Sequence, residues 1–168
     1  MLDLAILAIF PGVMVFAAIS DMLTMKIPNL VSIILTIAFF IMAVAIGLPW
    51  MTIVWHLVAG LLMLAICFIL FNLGWIGGGD AKLAAATSLW LGFGLIASYG
   101  VFASVFGGVL TLVILQLRRM TLEGPLFSAP WLVRLCEKNG GIPYGIALAA
   151  AGLVVYPDTA IWIAAQTI

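Results

Sequence analysis

Two carboxylates stand out in a chain that is otherwise almost entirely oily. Asp21 closes the first apolar run, and Asp80 ends the glycine-rich part of "GWIGGGDAKL", Gly74 to Leu83. A carboxylate is costly at membrane depth, so acids that abut apolar runs are rare and usually functional. Two carboxylates that share a site cannot both ionise cheaply, and one keeps its proton while the other becomes a base. Such a pair suits hydrolysis of a peptide bond. The ionised member takes a proton from water, and the protonated member polarises the scissile carbonyl. The other four acids, Asp3, Glu123, Glu137 and Asp158, fall in loops or near termini, where a solvated charge is the default.

The remaining residue types limit the alternatives. The single histidine, His56, lies in the middle of an apolar run and is read as a buried or interfacial helix residue. No Ser–His pairing, HExxH or Cys–His arrangement can be assembled beside the acids, which disfavours serine, metallo and cysteine mechanisms. Cys67 lies in an apolar run and Cys136 in the most polar loop, with no CxxC spacing, so neither a disulfide nor a metal site is expected. No cofactor is implied.

The elements that must position the acids are set by composition. Of the 168 residues, 67% are hydrophobic and 7% charged, with mean hydropathy +1.38 and formal net charge zero. Soluble domains run near a quarter charged. The solvent of this chain is the bilayer, where a spanning helix needs about 20 apolar residues. The expected architecture is all-α, a polytopic membrane protein with about six spans in one bundle, residues 1–168 forming a single domain. Lipid is then an expected partner, and nucleic acid is not.

The first span lies between Asp3 and Asp21, short and bent at Pro11. It lacks the basic n-region of a secretory signal. The second runs from about Leu30 to Leu48 and the third from Met51 to Leu73. From Leu83 to Leu117 the chain stays apolar or polar-neutral, enough for two tightly connected spans turning near Gly92, Gly94, Ser98 and Gly100. A polar loop, roughly Arg118 to Gly141, follows. The last apolar stretch begins near Ile142 and is interrupted by "YPD", Tyr156 to Asp158. It is either one broken span or a span with an interfacial tail.

In this frame the loops after spans one, three and five share one side. They hold Lys26, Lys82, Arg118, Arg119, Arg134 and Lys138, which are all the basic residues of the chain. The positive-inside rule puts these loops in the cytoplasm and the amino terminus outside, with Arg118 and Arg119 as orientation anchors. Asp21 and Asp80, 59 residues apart (80 − 21), then come to the same cytoplasmic face at similar depth.

The glycines beside Asp80 admit two readings. Gly77, Gly78 and Gly79 allow close backbone approach and unusual φ/ψ, which suits an unwound substrate in a hydrolytic cleft. A flexible loop capped by an aspartate fits equally well. Lys82 points nearly opposite to Asp80 on a helix. It either snorkels to lipid phosphate, the simpler reading, or contacts another helix. Pro28 and Asn29 open the second span, with Asn29 a candidate substrate contact. Tyr144 is either an interfacial anchor or a supporting site residue. The Ala84 to Ala86 run and Gly107–Gly108 are read as close helix packing.

Three separated stretches resemble the prepilin peptidases, membrane aspartic proteases with a GxGD motif. "SDMLTMKIPN" is similar to the family's first catalytic aspartate followed by a basic residue and IPN. "GGGDAKL" is similar to its GxGDxKL, and "IPYGIALAAAG" to the Pro-aromatic-Gly segment that opens the last span. The resemblance covers Asp21 to about Gly152. It implies Asp21 and Asp80 as the catalytic pair, with Lys26, Pro28, Asn29, Gly77, Gly79, Lys82, Pro143, Tyr144 and Gly145 as supporting or substrate-binding positions.

The implied substrate is a type IV pilin-like precursor, cut at the cytoplasmic face of a bacterial inner membrane between a short leader and an apolar helix. Larger members carry a cytoplasmic domain with paired cysteines between the first two spans and N-methylate the new terminus. Here that position holds only Asp21 to Pro28, so the resemblance is to the compact members serving Flp/Tad-type pili, and methylation is not expected. Archaeal preflagellin peptidases are close relatives. The presenilin group differs, because a tyrosine precedes its first aspartate where this chain has Ser20. Outside the family, a small proton-coupled transporter would use both aspartates as ion sites. Such sites usually lie near the midplane between repeated halves, and no repeat is visible here. A non-catalytic assembly subunit would tolerate substitution of both acids.

Overall fold

A computed structural model of the chain describes residues 2–119, 129–137 and 140–166, with no account of the side chains of residues 2–6 and 165. Glu123 and Lys138 lie outside the described residues. The described elements are helical: α1 (Leu2–Thr24), α2 (Asn29–Ala45), α3 (Trp50–Asn72), α4 (Gly78–Leu91), α5 (Ile96–Leu117), α6 (Pro130–Cys136), α7 (Tyr144–Val155) and α8 (Ala160–Ala165). Single 3₁₀ turns, Phe93–Leu95 and Tyr156–Asp158, follow α4 and α7.

The protein is an all-α membrane protein. Three stretches, Leu7–Thr24, Trp50–Asn72 and Phe93–Leu117, are long and apolar enough to cross a bilayer, and Asn29–Ala45 and Tyr144–Asp158 are shorter apolar helices. Large apolar side chains such as Val44, Trp55, Leu61, Phe68, Val101 and Leu112 face outward. In water they would be an association hazard, whereas in lipid they meet their own solvent.

Buried positions recur every three to four residues, so each helix turns one stripe inward. Phe10, Met14 and Ala17 do so on α1, and Val31, Leu35, Phe39 and Met42 on α2. α4 differs, since nearly all of it from Ala81 to Leu91 is buried between α2, α3 and α7. At one end of the bundle an aromatic cluster locks α1, α4 and α7 together. Phe10 stacks on Tyr156 at a 4.3 Å centroid separation and tilts against Trp90 at 5.2 Å. The Trp90 indole N–H donates to the Leu35 carbonyl at 2.8 Å.

Several elements depart from the sequence reading. α1 continues through Pro11 and past Asp21 to Thr24, so Asp21 lies within the last turns of the helix rather than beyond a short span. Gly78 and Gly79 are helical residues of the first turn of α4, and the break is confined to the residues from Leu73 to Gly77. The α4–α5 turn is made at Gly92, and Ser98 and Gly100 are already helical. The polar loop contains a helix, α6. Arg118 donates to the carbonyls of Leu135, Gly140 and Gly141 at 2.8–2.9 Å, so it fastens this loop instead of serving only as an anchor to lipid. The carboxyl end is a broken helix: Tyr156 is buried, and α8 folds back against α1.

His56 is buried, with Nδ1 2.8 Å from the Leu89 carbonyl and its ring stacked on Phe39. That contact fixes the turn after α4. Gly92 has φ +75°, and a Cβ there would lie 2.9 Å from His56 Cε1. Gly92→Ala therefore meets both backbone strain and the imidazole, and a loss of about 1–3 kcal/mol is expected. Thermal unfolding in detergent should show a lower midpoint for Gly92→Ala and little change for Gly94→Ala, whose added carbon meets open space.

Candidate functional site

At the end of the bundle opposite the aromatic cluster, the close of α1 meets the starts of α2, α4 and α7. The α1–α2 connection is only Met25 to Pro28. Met25 adopts a left-handed φ of 55° and donates its N–H to the Asp21 carbonyl at 2.8 Å. The Ser20 and Thr24 hydroxyls both donate to the Lys26 carbonyl, at 3.0 and 3.2 Å. The Lys26 side chain is exposed, and Pro28 is the N-cap of α2.

This turn holds Asp21 5% exposed, where its Oδ2 accepts the Gly145 backbone N–H at 2.8 Å. The donor is free to do so because it belongs to the first turn of α7, where N–H groups lack intrahelical partners. Pro143, buried, is the N-cap of α7, and Tyr144 and Gly145 follow it.

Asp80 occupies the third residue of α4. Gly77 is the N-cap in extended conformation, and its N–H donates to Asp80 Oδ2 at 3.3 Å. Both carboxylates thus stand at this end of the bundle, each accepting a backbone N–H. Ile27 is wedged between their supports. A Cβ on Gly79 would lie 3.2 Å from Ile27 Cβ, and one on Gly145 would lie 2.7 Å from Ile27 Cδ1 and 2.8 Å from Asp21 Oδ2. The glycines thus let α4 and α7 approach the α1–α2 turn. At Gly79 the close approach that glycine allows is packing within the first turn of a helix.

Lys82 is brought to the second of its two sequence readings. Its Nζ donates to Asn29 Oδ1 at 2.9 Å, joining the starts of α4 and α2 on the outer surface. Asn29 is thereby engaged by the fold, in addition to opening α2. Tyr144 places its hydroxyl 3.2 Å from Thr111 Oγ1 on α5, and its ring lies within contact distance, 3.4 Å, of where a Cβ on Gly107 would be. Arg134 on α6 donates to the Leu23 carbonyl at 3.0 Å, so the polar loop also reaches this end.

A cleft of about 630 Å³ runs from this end between α3, α4, α5 and α7. Asp80, Thr111 and Tyr144 border it, with Leu70 and Ile76 nearby, and Cys67 and Tyr99 lie further along. Asp21 does not line it, so the cleft reaches the pair on the Asp80 side. Ile27 and Thr111 were not singled out from sequence. Thr111 is visible in retrospect as a polar residue in the apolar run of α5, while Ile27 carries no chemical signal of its own.

Among the described residues no three His, Cys, Asp or Glu side chains converge as a metal site. Two carboxylates at one end of the bundle, each accepting a backbone N–H and one bordering an apolar cleft, have the parts needed for acid–base attack on a carbonyl. The model of the type IV leader peptidase family matches residues 8–112, more than half of the chain. The chain belongs to that family. The prepilin leader peptidase/N-methyltransferase of Dickeya chrysanthemi is 37% identical over 57 residues, which make up 34% of this chain and 20% of that relative. The chain is thus matched to about a fifth of the length of that family member. No solved structure matches it.

Gly145 is the tightest point of the arrangement. Gly145→Ala should displace both Ile27 and the Asp21 carboxylate, costing about 1–3 kcal/mol as an overpacked contact does. A lowered unfolding midpoint for Gly145→Ala, beside an unchanged one for Gly141→Ala, whose added carbon meets open space, would establish this.

Proposed function

We propose that the protein is an aspartic endopeptidase that removes the leader of type IV pilin-like precursors, of the compact kind serving Flp/Tad pili. Asp21 and Asp80 are its catalytic pair. What supports the reading is the placement of Asp21 in the last turns of α1 and Asp80 in the first turn of α4 at one end of the bundle, with Ile27 packed between Gly79 and Gly145, in a chain of the leader peptidase family. The ionised member of the pair takes a proton from water as the oxygen attacks the scissile carbonyl. The protonated member donates to the carbonyl oxygen. Collapse of the tetrahedral intermediate breaks the C–N bond, and the departing amine receives a proton. Water is the only co-reactant.

The site faces the cytoplasm of a bacterial inner membrane, with the amino terminus outside. Support comes from the basic side chains. Lys26, Lys82, Arg118 and Arg134 belong to loops and helix ends that gather at the end of the bundle holding the acids. Lys26, Pro28, Asn29, Gly77, Gly79, Lys82, Pro143, Tyr144 and Gly145 act as supporting residues, through the contacts that join α1, α2, α4 and α7. N-methylation is not part of this proposal, because only Met25 to Pro28 connect α1 to α2.

Replacing either acid with its amide tests the reading directly. Co-expressed with a candidate prepilin, Asp21→Asn and Asp80→Asn should each abolish the size shift of leader removal while the protein remains folded in the membrane. Full activity in both variants would end the proposal, and it is what a non-catalytic assembly role predicts. The pH dependence of cleavage by the wild type should be bell-shaped, its two limbs belonging to the pair as a whole, and chelators should leave the rate unchanged.

A further inference from the structure

Asp80 and Lys82 leave α4 on different sides. Asp80 borders the cleft toward α5 and α7, whereas Lys82 borders a separate groove between α2 and α3, with α4 packed on both. Two adjoining cavities, of about 440 and 250 Å³, make up this groove and share Ser32, Thr36 and Lys82. Its polar lining begins at the end of the bundle near the acids, where Lys82 meets Asn29, and continues along α2 with Ser32 and Thr36. The rest is mainly aliphatic and turned to the outside: Ile33, Ile37, Leu57, Leu61 and Leu64 are all exposed.

The polar end has the chemistry of an anion site. An ammonium has three donors, and Asn29 Oδ1 accepts one at 2.9 Å, so Lys82 can hold an anion without giving up that contact. Asn29 is the first residue of α2, which has no side-chain cap, and the free N–H groups and dipole of a helix start favour negative charge. Among the described residues no Asp or Glu borders either cavity. Ser32 borders both, and its Oγ is buried without a hydrogen-bond partner among the described residues, an uncommon state for a hydroxyl. A free anion would gain nothing from the leucines and isoleucines that follow. A zwitterionic headgroup would bring an ammonium toward Lys82 and find no carboxylate to receive it.

We infer that the groove between α2, α3 and α4 binds an anionic phospholipid, with its phosphate on Lys82 and Asn29 and an acyl chain along Ile33, Ile37, Leu57 and Leu61. The bound phosphate joins the starts of α2 and α4, so the Lys82–Asn29 contact and the lipid brace the same two helices. The groove lies on the side of α4 away from the cleft, and lipid binding there is independent of the peptidase reading.

Native mass spectrometry of the full chain in detergent, titrated with phosphatidylglycerol or with phosphatidylcholine of the same acyl chains, reads the affinity for the first lipid bound. Phosphatidylglycerol should bind more tightly. Lys82→Gln should weaken it about fivefold, the scale of one lysine near an anionic lipid surface, and Lys82→Arg should restore it. Thr36→Phe fills the groove but leaves Lys82 and Asn29 in place, so it should also weaken binding and decides the matter if Lys82→Gln does not fold. Lys26→Gln removes an exposed lysine that borders neither cavity and should have no effect. Equal affinity for the two lipids, equal losses in Lys26→Gln and Lys82→Gln, or full affinity in Thr36→Phe would each overturn the inference. Displacement of the lipid by excess inorganic phosphate would overturn it too, since the groove would then serve the free anion.

Discussion

The structure depends on how a buried carboxylate is held at one end of an apolar helical bundle. Asp21 is almost fully buried in the last turns of α1, and a buried carboxylate without donors is strongly disfavoured. Its donor is the Gly145 N–H at the start of α7, a group that the helix itself leaves without a partner. One hydrogen bond thus satisfies two groups that would each be costly alone. It also fixes the close of the first span against the start of the last. The requirement for glycine at 145 follows, since any side chain there would occupy the space of the carboxylate and of Ile27.

The two ends of the bundle are built on opposite packing rules. Away from the acids, Phe10, Trp90, Tyr156 and Trp162 fill space with rings that stack or meet edge to face. Such contacts are bulky and fix the relative positions of α1, α4, α7 and α8. Beside the acids, the supporting positions are Gly77, Gly79 and Gly145, and the packing residue between them is the single Ile27. Here the backbones come close, and the N–H groups of Gly77 and Gly145 supply the hydrogen bonds to the two carboxylates. A rigid far end allows the near end to be made of small residues without losing its geometry.

Much of this was legible in the sequence, for physical reasons that also explain the rest. Spans two and three were found within a few residues because lipid demands long apolar runs and their ends carry Pro28, Pro49 or glycine. Asp21 and Asp80 were conspicuous because acids are rare in such runs. The glycine run left its readings open, because glycine permits a loose turn and a tightly packed helix alike. Only tertiary contact, with Ile27 against Gly79, selects the second. For Lys82 lipid was the simpler of two readings because Asp80 on its own helix points away, and its partner Asn29 lies 53 residues away. Arg118 was read as a topological charge for the same reason, although three carbonyls of the loop toward α7 claim its guanidinium. Long-range polar pairs leave no periodic trace, and periodicity is what a sequence reading uses.

The least apolar of the bundle's main helices is also the one most enclosed. α4 carries Asp80, Lys82, Thr87 and Ser88 and runs for only 14 residues, about 21 Å at 1.5 Å per residue, less than the hydrocarbon thickness. A helix of that kind facing lipid would be poorly solvated. Its alanines resolve the difficulty: Ala81, Ala84 and Ala86 are buried, and Gly60 on α3 approaches so closely that a Cβ would lie 3.3 Å from the Ala85 carbonyl and from Leu89 Cβ. Neighbouring helices thus replace lipid around α4, and its length need not match the membrane. Asp80 can then sit at the first turn of an element surrounded by protein and open on one side to the cleft. A carboxylate on a lipid-facing helix would lack these protein neighbours.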